Sequence, residues 1–176
     1  MIQYILTEHA KSLISKGIDV TPKRGTEHAA GMDLCACIDE PITLLPGEMR
    51  KIFTGVKVFL GTTRYLLDKE YSLKTPNSIP VEKLVSEVKL SGLYLPRSSS
   101  PGLKLENTVG LLDCDFQGES FVKLRNMSQE PVKIIPGERL VQLVIIPVVM
   151  DKWEEVTVFD ETVSRNPLGD GSTGKL

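Results

Sequence analysis

Glycine and proline interrupt this chain repeatedly, 14 and 11 times in 176 residues, and they constrain its fold more than any other feature. Proline lacks a backbone donor and glycine admits turn conformations closed to other residues, so neither suits the interior of long regular elements. Between them lie short stretches rich in Val, Ile, Leu, Phe and Thr, at 2–6, 32–37, 51–60, 92–95, 108–112, 120–126 and 141–149. Many short strands bounded by turn residues predict an all-β protein, a sandwich or barrel. Two turns, Leu45-Pro46-Gly47-Glu48 and Ile135-Pro136-Gly137-Glu138, share a Pro-Gly centre suited to a type II bend. They read as local reuse of one turn and not as a repeat.

One stretch departs from this pattern. From Ser78 the chain offers an N-cap serine, an early proline and Val81, Leu84, Val85 and Val88 at helical spacing. That predicts a single short amphipathic helix. The helix falls in a segment, 61–91, that reads as an insertion between two strands. Residues 75–89 are a candidate surface for a protein partner, although a helix covering its own sheet is the plainer reading. Beyond Val163 the residues are mostly Arg, Asn, Pro, Gly, Asp, Ser and Thr, too polar to fold alone. The expected organisation is one domain over 1–163 and a flexible C-terminal arm over 164–176.

Composition narrows the function. Hydrophobic residues at 41% and charged residues at 25% suit a globular protein, and the net charge of −2 argues against extended nucleic-acid binding. Apolar runs fall short of the roughly 18 residues of a membrane span, and the N-terminus has no leader pattern, so the expected location is the cytoplasm, or the host cytoplasm for a viral protein. Cys35, Cys37 and Cys114 are odd in number, form no CxxC, and have only His9 and His28 to assist them. We read them as reduced thiols rather than as disulfide or zinc ligands.

Four features carry chemistry. Arg97, followed by Ser98, Ser99 and Ser100, offers a forked cation and hydroxyls of the kind that polyphosphate oxygens require. Asp113 ends the apolar run Val109-Gly110-Leu111-Leu112 and is expected at a strand end facing a cleft. Gln142 places an amide within the apolar stretch 140–146, where it needs partners. The tail Gly169-Asp170-Gly171-Ser172-Thr173-Gly174 has the glycines to wrap phosphates through its backbone amides.

In order and spacing these features resemble the trimeric dUTPase family. The matching segments are Ala29-Ala30-Gly31-Met32-Asp33-Leu34, Pro96-Arg97-Ser98-Ser99, the run from Asn107 to Glu119, Pro136-Gly137-Glu138-Arg139-Leu140-Val141-Gln142-Leu143, and Arg165 with Gly171-Ser172-Thr173-Gly174. The resemblance implies a distorted β-barrel or jelly-roll-like fold and a homotrimer whose sites lie at subunit boundaries. It also implies hydrolysis of dUTP to dUMP and pyrophosphate with magnesium. Asp113 would be the catalytic aspartate, orienting and deprotonating water, and Asp33 would hold the metal through its water shell. Arg97, Ser98, Ser99 and Gln142 would bind phosphate, with Arg165, Ser172 and Thr173 clamping the γ-phosphate from the arm. Asn107 and Gly110 would read uracil, and Phe116, where the family usually has tyrosine, would pack on deoxyribose.

Some positions depart from the family. Asp170 stands where the arm usually carries an aromatic residue, the link from Arg97 to Asn107 is short, and the 61–91 insertion is unusual. A dCTP deaminase of the same fold is the rival enzyme. It would need a proton-relaying glutamate, and Glu119 lies in the wrong part of the hairpin. A dUTPase-like protein with a partner-binding regulatory role is the other alternative.

Overall fold

A computed structural model describes residues 2–61, 88–97, 103–105, 110–150, 153 and 155–157. The elements are β1 (Gln3–Leu6), α1 (Glu8–Ser15), β2 (Met32–Cys35), β3 (Ile42–Leu44), β4 (Met49–Phe59), β5 (Val88–Pro96), β6 (Leu103–Leu105), β7 (Gly110–Leu112), β8 (Glu119–Asn126), β9 (Val132–Ile134) and β10 (Arg139–Val149). Two four-stranded sheets, ordered β1-β4-β8-β6 and β2-β10-β5-β7, accompany a small β3-β9 pair. Every pairing among these strands is antiparallel.

Alternation drives the layering. In β8, Ser120, Val122, Leu124 and Asn126 are buried while the intervening Lys123 is exposed, the period of two that one covered face demands. Leu34 and Val141 of one sheet join Ile52, Val56 and Leu124 of the other in a single core. Each such side chain stabilises the fold by about 1.5–3 kcal/mol relative to exposure. Leu44 and Ile134, both fully buried, add the β3-β9 pair to that core. Buried Asn126 serves as a polar hub. Its amide donates to the Leu44 and Glu130 carbonyls at 2.9 and 2.8 Å, and its oxygen accepts from the Ser128 N–H at 2.9 Å.

The two Pro-Gly turns prove to belong to a larger repetition. Gly47 and Gly137 both lie at φ 77, and the Glu48 and Glu138 N–H groups close the turns on Leu45 O and Ile135 O at 2.9 and 3.1 Å. Each glutamate side chain accepts from the first N–H of its own turn, at 2.9 and 3.0 Å. Gly47 and Glu48 bond the Asn126 backbone just as Gly137 and Glu138 bond Ala36. With an offset of 90 positions (46 to 136), β2-β3-β4 corresponds to β8-β9-β10, β3 pairs with its own counterpart β9, and Met49↔Arg125 mirrors Arg139↔Cys35. The shared Glu-Pro at 40–41 and 130–131 was a further trace of it. The expectation of mere local turn reuse is therefore corrected: the body carries a pseudo-twofold repeat.

The one helix among the described residues is α1, which the sequence reading did not anticipate. Thr7 caps it, with Oγ1 accepting from the Ala10 N–H at 3.2 Å, and its buried residues are Ala10 and Leu13, with Ile14 partly buried beside them. They meet Val20, Cys35 and Cys37 in a satellite cluster. Two buried residues make too little periodicity to stand out among strands. The short strands β3, β6 and β9 were likewise unforeseen. Most of the expected insertion and its helix, residues 62–87, lies outside the described residues, as do residues 158–163 and the whole expected arm, 164–176. Val88, expected on that helix, instead opens β5 opposite Val149, because the long β10 supplies backbone partners through that level.

Candidate active site

The sheet β2-β10-β5-β7 brings three expected residues to one place. Gln142 stands directly opposite Asp33 in the β10–β2 register, which puts both side chains on one face. Arg97, one residue past β5, donates Nε to Asp33 Oδ1 at 3.1 Å. The other carboxylate oxygen accepts from Arg139 Nη1 at 3.2 Å, and Arg97 Nη1 reaches the Arg139 carbonyl at 3.4 Å. Asp33 is only 9% exposed at its side chain, and burying such a charge demands cationic partners. Gly31 makes room for this packing: a Cβ there would lie 2.7 Å from Gln142 Cβ and 3.0 Å from its Oε1.

Arg139 is the residue that sequence reasoning passed over. It lay inside a matched segment, but its partner Asp33 is 106 positions away and only sheet register joins them. A register shift between Arg139 and Val141 marks a bulge at this point, the kind of device that re-aims a side chain.

Gly110, Asp113 and Phe116 meet elsewhere, around a cavity of about 250 Å³ also lined by Tyr94, Phe121 and Lys123. Gly110 lies close against Tyr94, where a Cβ would sit 3.0 Å from Cδ2, and the Phe116 ring lies over Gly118, where a Cβ would be 2.5 Å from Cζ. Burial pushes the Tyr94 hydroxyl up, and that hydroxyl donates to Ser120 Oγ at 3.0 Å. Asp113 itself is exposed at the end of β7. Ser98, Ser99, Asn107, Arg165, Ser172 and Thr173 lie outside the described residues.

The two groups stand far apart in one chain. Leu112 pairs with Gly92, so Asp113 lies near the level of Ser91, while Arg97 lies past the opposite end of β5. From Ser91 to Arg97 a strand rises roughly 20 Å at about 3.3 Å per residue. No ion pair or hydrogen bond links the groups among the described residues.

Two other features are weaker sites. Cys37 Sγ lies 3.7 Å from His9 Nδ1, and His9 Nε2 lies 3.1 Å from Asp39 Oδ2, an order of groups like that of a thiol nucleophile. Yet burial pushes the Cys37 thiol up to about 11, so the thiolate such chemistry needs is scarce at neutral pH. Among the described residues, no group of three or more His, Cys, Asp or Glu is placed to hold a metal ion. No helix among them is long and apolar enough to cross a membrane.

Two guanidiniums flank one buried carboxylate on this antiparallel β scaffold, and guanidinium is the group that pairs in bidentate fashion with carboxylates and phosphates. The comparisons agree. Residues 68–174 match the dUTPase family model. The deoxyuridine 5'-triphosphate nucleotidohydrolase of Thiobacillus denitrificans is 39% identical over 160 residues, covering 89% of this chain and 92% of its own. That of Psychrobacter cryohalolentis is 37% identical, covering 88% and 86%. A Staphylococcus bacteriophage 80alpha dUTPase with dUPNHPP superimposes with a TM-score of 0.71 at 21% identity over 99% of both chains, a likeness that bears on the fold. The chain belongs to the dUTPase family.

Proposed function

We propose that this protein hydrolyses dUTP to dUMP and pyrophosphate in sites assembled from more than one copy of the chain. The observation that carries this reading is Arg97 held on buried Asp33 beside Gln142, a preformed anion site on the segments that resemble the family. The roughly 20 Å along β5 between this cluster and the level of Asp113 supports a homotrimer, in which one copy's Asp113 faces the phosphate cluster of another.

Arg97 and Gln142, with Ser98 and Ser99, bind the phosphates, and Arg165, Ser172 and Thr173 of the arm clamp the terminal one. Asn107, Gly110 and Phe116 hold the uracil and deoxyribose. Asp113 orients a water and takes its proton as the water oxygen bonds to the α-phosphorus. The bond from that phosphorus to the bridging oxygen breaks, and pyrophosphate leaves. Donors fixed before the reaction stabilise the charge that develops on it.

The residues present fit an outer-shell magnesium ion. Each Asp33 oxygen accepts one guanidinium N–H and keeps lone-pair capacity for a water, and magnesium is ordinarily held through water, one or two carboxylates and substrate phosphates. When bound, the ion would offset triphosphate charge and favour departure of pyrophosphate. The deaminase reading is weakened by Glu119, whose Oε1 accepts from the Gly55 N–H at 2.9 Å and which does not line the Asp113 cavity.

The test is Asp113→Asn, with turnover and dUTP binding measured separately. Turnover should fall roughly a hundredfold or more while binding persists, the scale of a lost general base. Near-normal turnover would refute the assignment.

A further inference from the structure

We propose that Tyr94 and Ser120 are positioning residues that fix the width of the base-binding slot beside Asp113 and so set its preference for a pyrimidine without a 5-methyl group; the inference rests on the dUTP reading above. The cavity there opens between β7 and β8, with residues 110–113 on one side and residues 120–123 on the other. Those two walls belong to different sheets. β7 is an edge strand paired with β5, and β8 lies between β4 and β6. Among the described residues no strand register therefore fixes the distance between them. A side-chain hydrogen bond does: the Tyr94 hydroxyl, carried by β5, reaches across to Ser120 Oγ at 3.0 Å. Both residues line the cavity, and they are only 5% and 1% exposed.

The surroundings hold each end of this tie. Tyr94 stands opposite Gly110 in the β5–β7 register, and its ring packs so closely on that glycine that a Cβ there would meet Cδ2 at 3.0 Å and Tyr94 Cβ at 3.2 Å. The ring is therefore seated against the β7 wall. On the same wall Ser91 Oγ donates to the Leu112 carbonyl at 3.0 Å, and on the other Thr54 Oγ1 donates to the Ser120 carbonyl at 2.9 Å. Each wall is anchored to its own sheet, and the Tyr94–Ser120 bond joins the two. Stability alone gives little reason for it, because a buried hydroxyl pair contributes little more than two apolar groups of the same shape would. What it adds is geometry: a hydrogen bond between hydroxyls holds its distance to within roughly half an ångström. Thymine differs from uracil by one methyl group on the ring edge, and a packed pocket distinguishes one such carbon by roughly tenfold or more. A slot of fixed width achieves this, and a slot free to widen loses it.

Kinetics of dUTP cleavage by Tyr94→Phe, Ser120→Ala and the double variant, with dUMP and dTMP as separate inhibitors, test the proposal. In each single variant dTMP should gain on dUMP as an inhibitor by roughly tenfold, with KM for dUTP raised severalfold and kcat changed less. The double variant should show no further gain, since either change alone cuts the same bond. A dTMP-to-dUMP ratio at the wild-type level in the single variants would overturn the proposal. So would parallel weakening of both nucleotides, the signature of a merely structural role, or effects that add in the double variant. Tyr94→Phe removes one buried oxygen atom, and if that variant does not fold, Ser120→Ala carries the same test. Failure of the dUTP reading itself would appear separately, as wild-type protein that does not cleave dUTP.

Discussion

Cys35 and Cys37 are 5% and 3% exposed, and burial raises both thiols from an ordinary value near 9 to about 11. Nearby carboxylates, Asp19 and Asp33 for Cys35 and Glu119 and Asp39 for Cys37, add to the effect. The folded chain thus holds these protons more tightly than the unfolded chain. Stability from this source is intact below about pH 9 and declines as pH rises from there to about pH 11. The loss should reach the order of 2 kcal/mol per thiol. Melting curves from pH 7 to pH 11 would reveal it, and the decline should shrink in Cys37→Ala; an identical decline in that variant would remove Cys37 from the account. At this scale the sequence was partly legible. Arg97 and Gln142 were identifiable as polar groups in phosphate-suited or apolar settings, and Asp33 through the family resemblance. The reactivity of Cys37 was not, because it depends on enclosure by α1, Val20 and Cys35.

The paired turns allow a comparison between elements. Gly47 and Gly137 share φ 77, where an alanine costs roughly 1–2 kcal/mol from left-handed strain alone. A Cβ at Gly47 would meet open space, whereas at Gly137 it would lie 3.2 Å from Ile18 Cγ2 and 3.3 Å from Asp19 O. Gly137→Ala should therefore lower the melting temperature more than Gly47→Ala does. It should also raise KM for dUTP, because β10, which carries Gln142, begins two residues later. Thermal melts and kinetics on the two variants check this; equal destabilisation would show that the Ile18 contact yields freely. Turn chemistry is local, so both bends were readable from Pro-Gly-Glu. The three-residue strands β3, β6 and β9 and the eight-residue α1 were not, since elements this short display too little periodicity.

At the scale of the whole molecule, the separation of Asp113 from Arg97 predicts complementation. A protomer carrying Asp113→Asn and one carrying Arg97→Ala should each be nearly inactive in their own assemblies. Co-refolded together, they should regain part of the wild-type rate, because some sites would then combine an intact Asp113 with an intact Arg97. A mixture no more active than its components would place both residues in a single chain's site. By itself the sequence determined the strand-rich class, the two Pro-Gly bends and the identity of most chemical groups, since side-chain alternation and turn conformation are settled within a few neighbouring residues. Tertiary structure alone decided that Asp33 meets Arg97 and Arg139 and that Asp113 stands apart from them. Those relations depend on how sheet register aligns residues as many as 106 positions apart, and no local pattern encodes such an alignment.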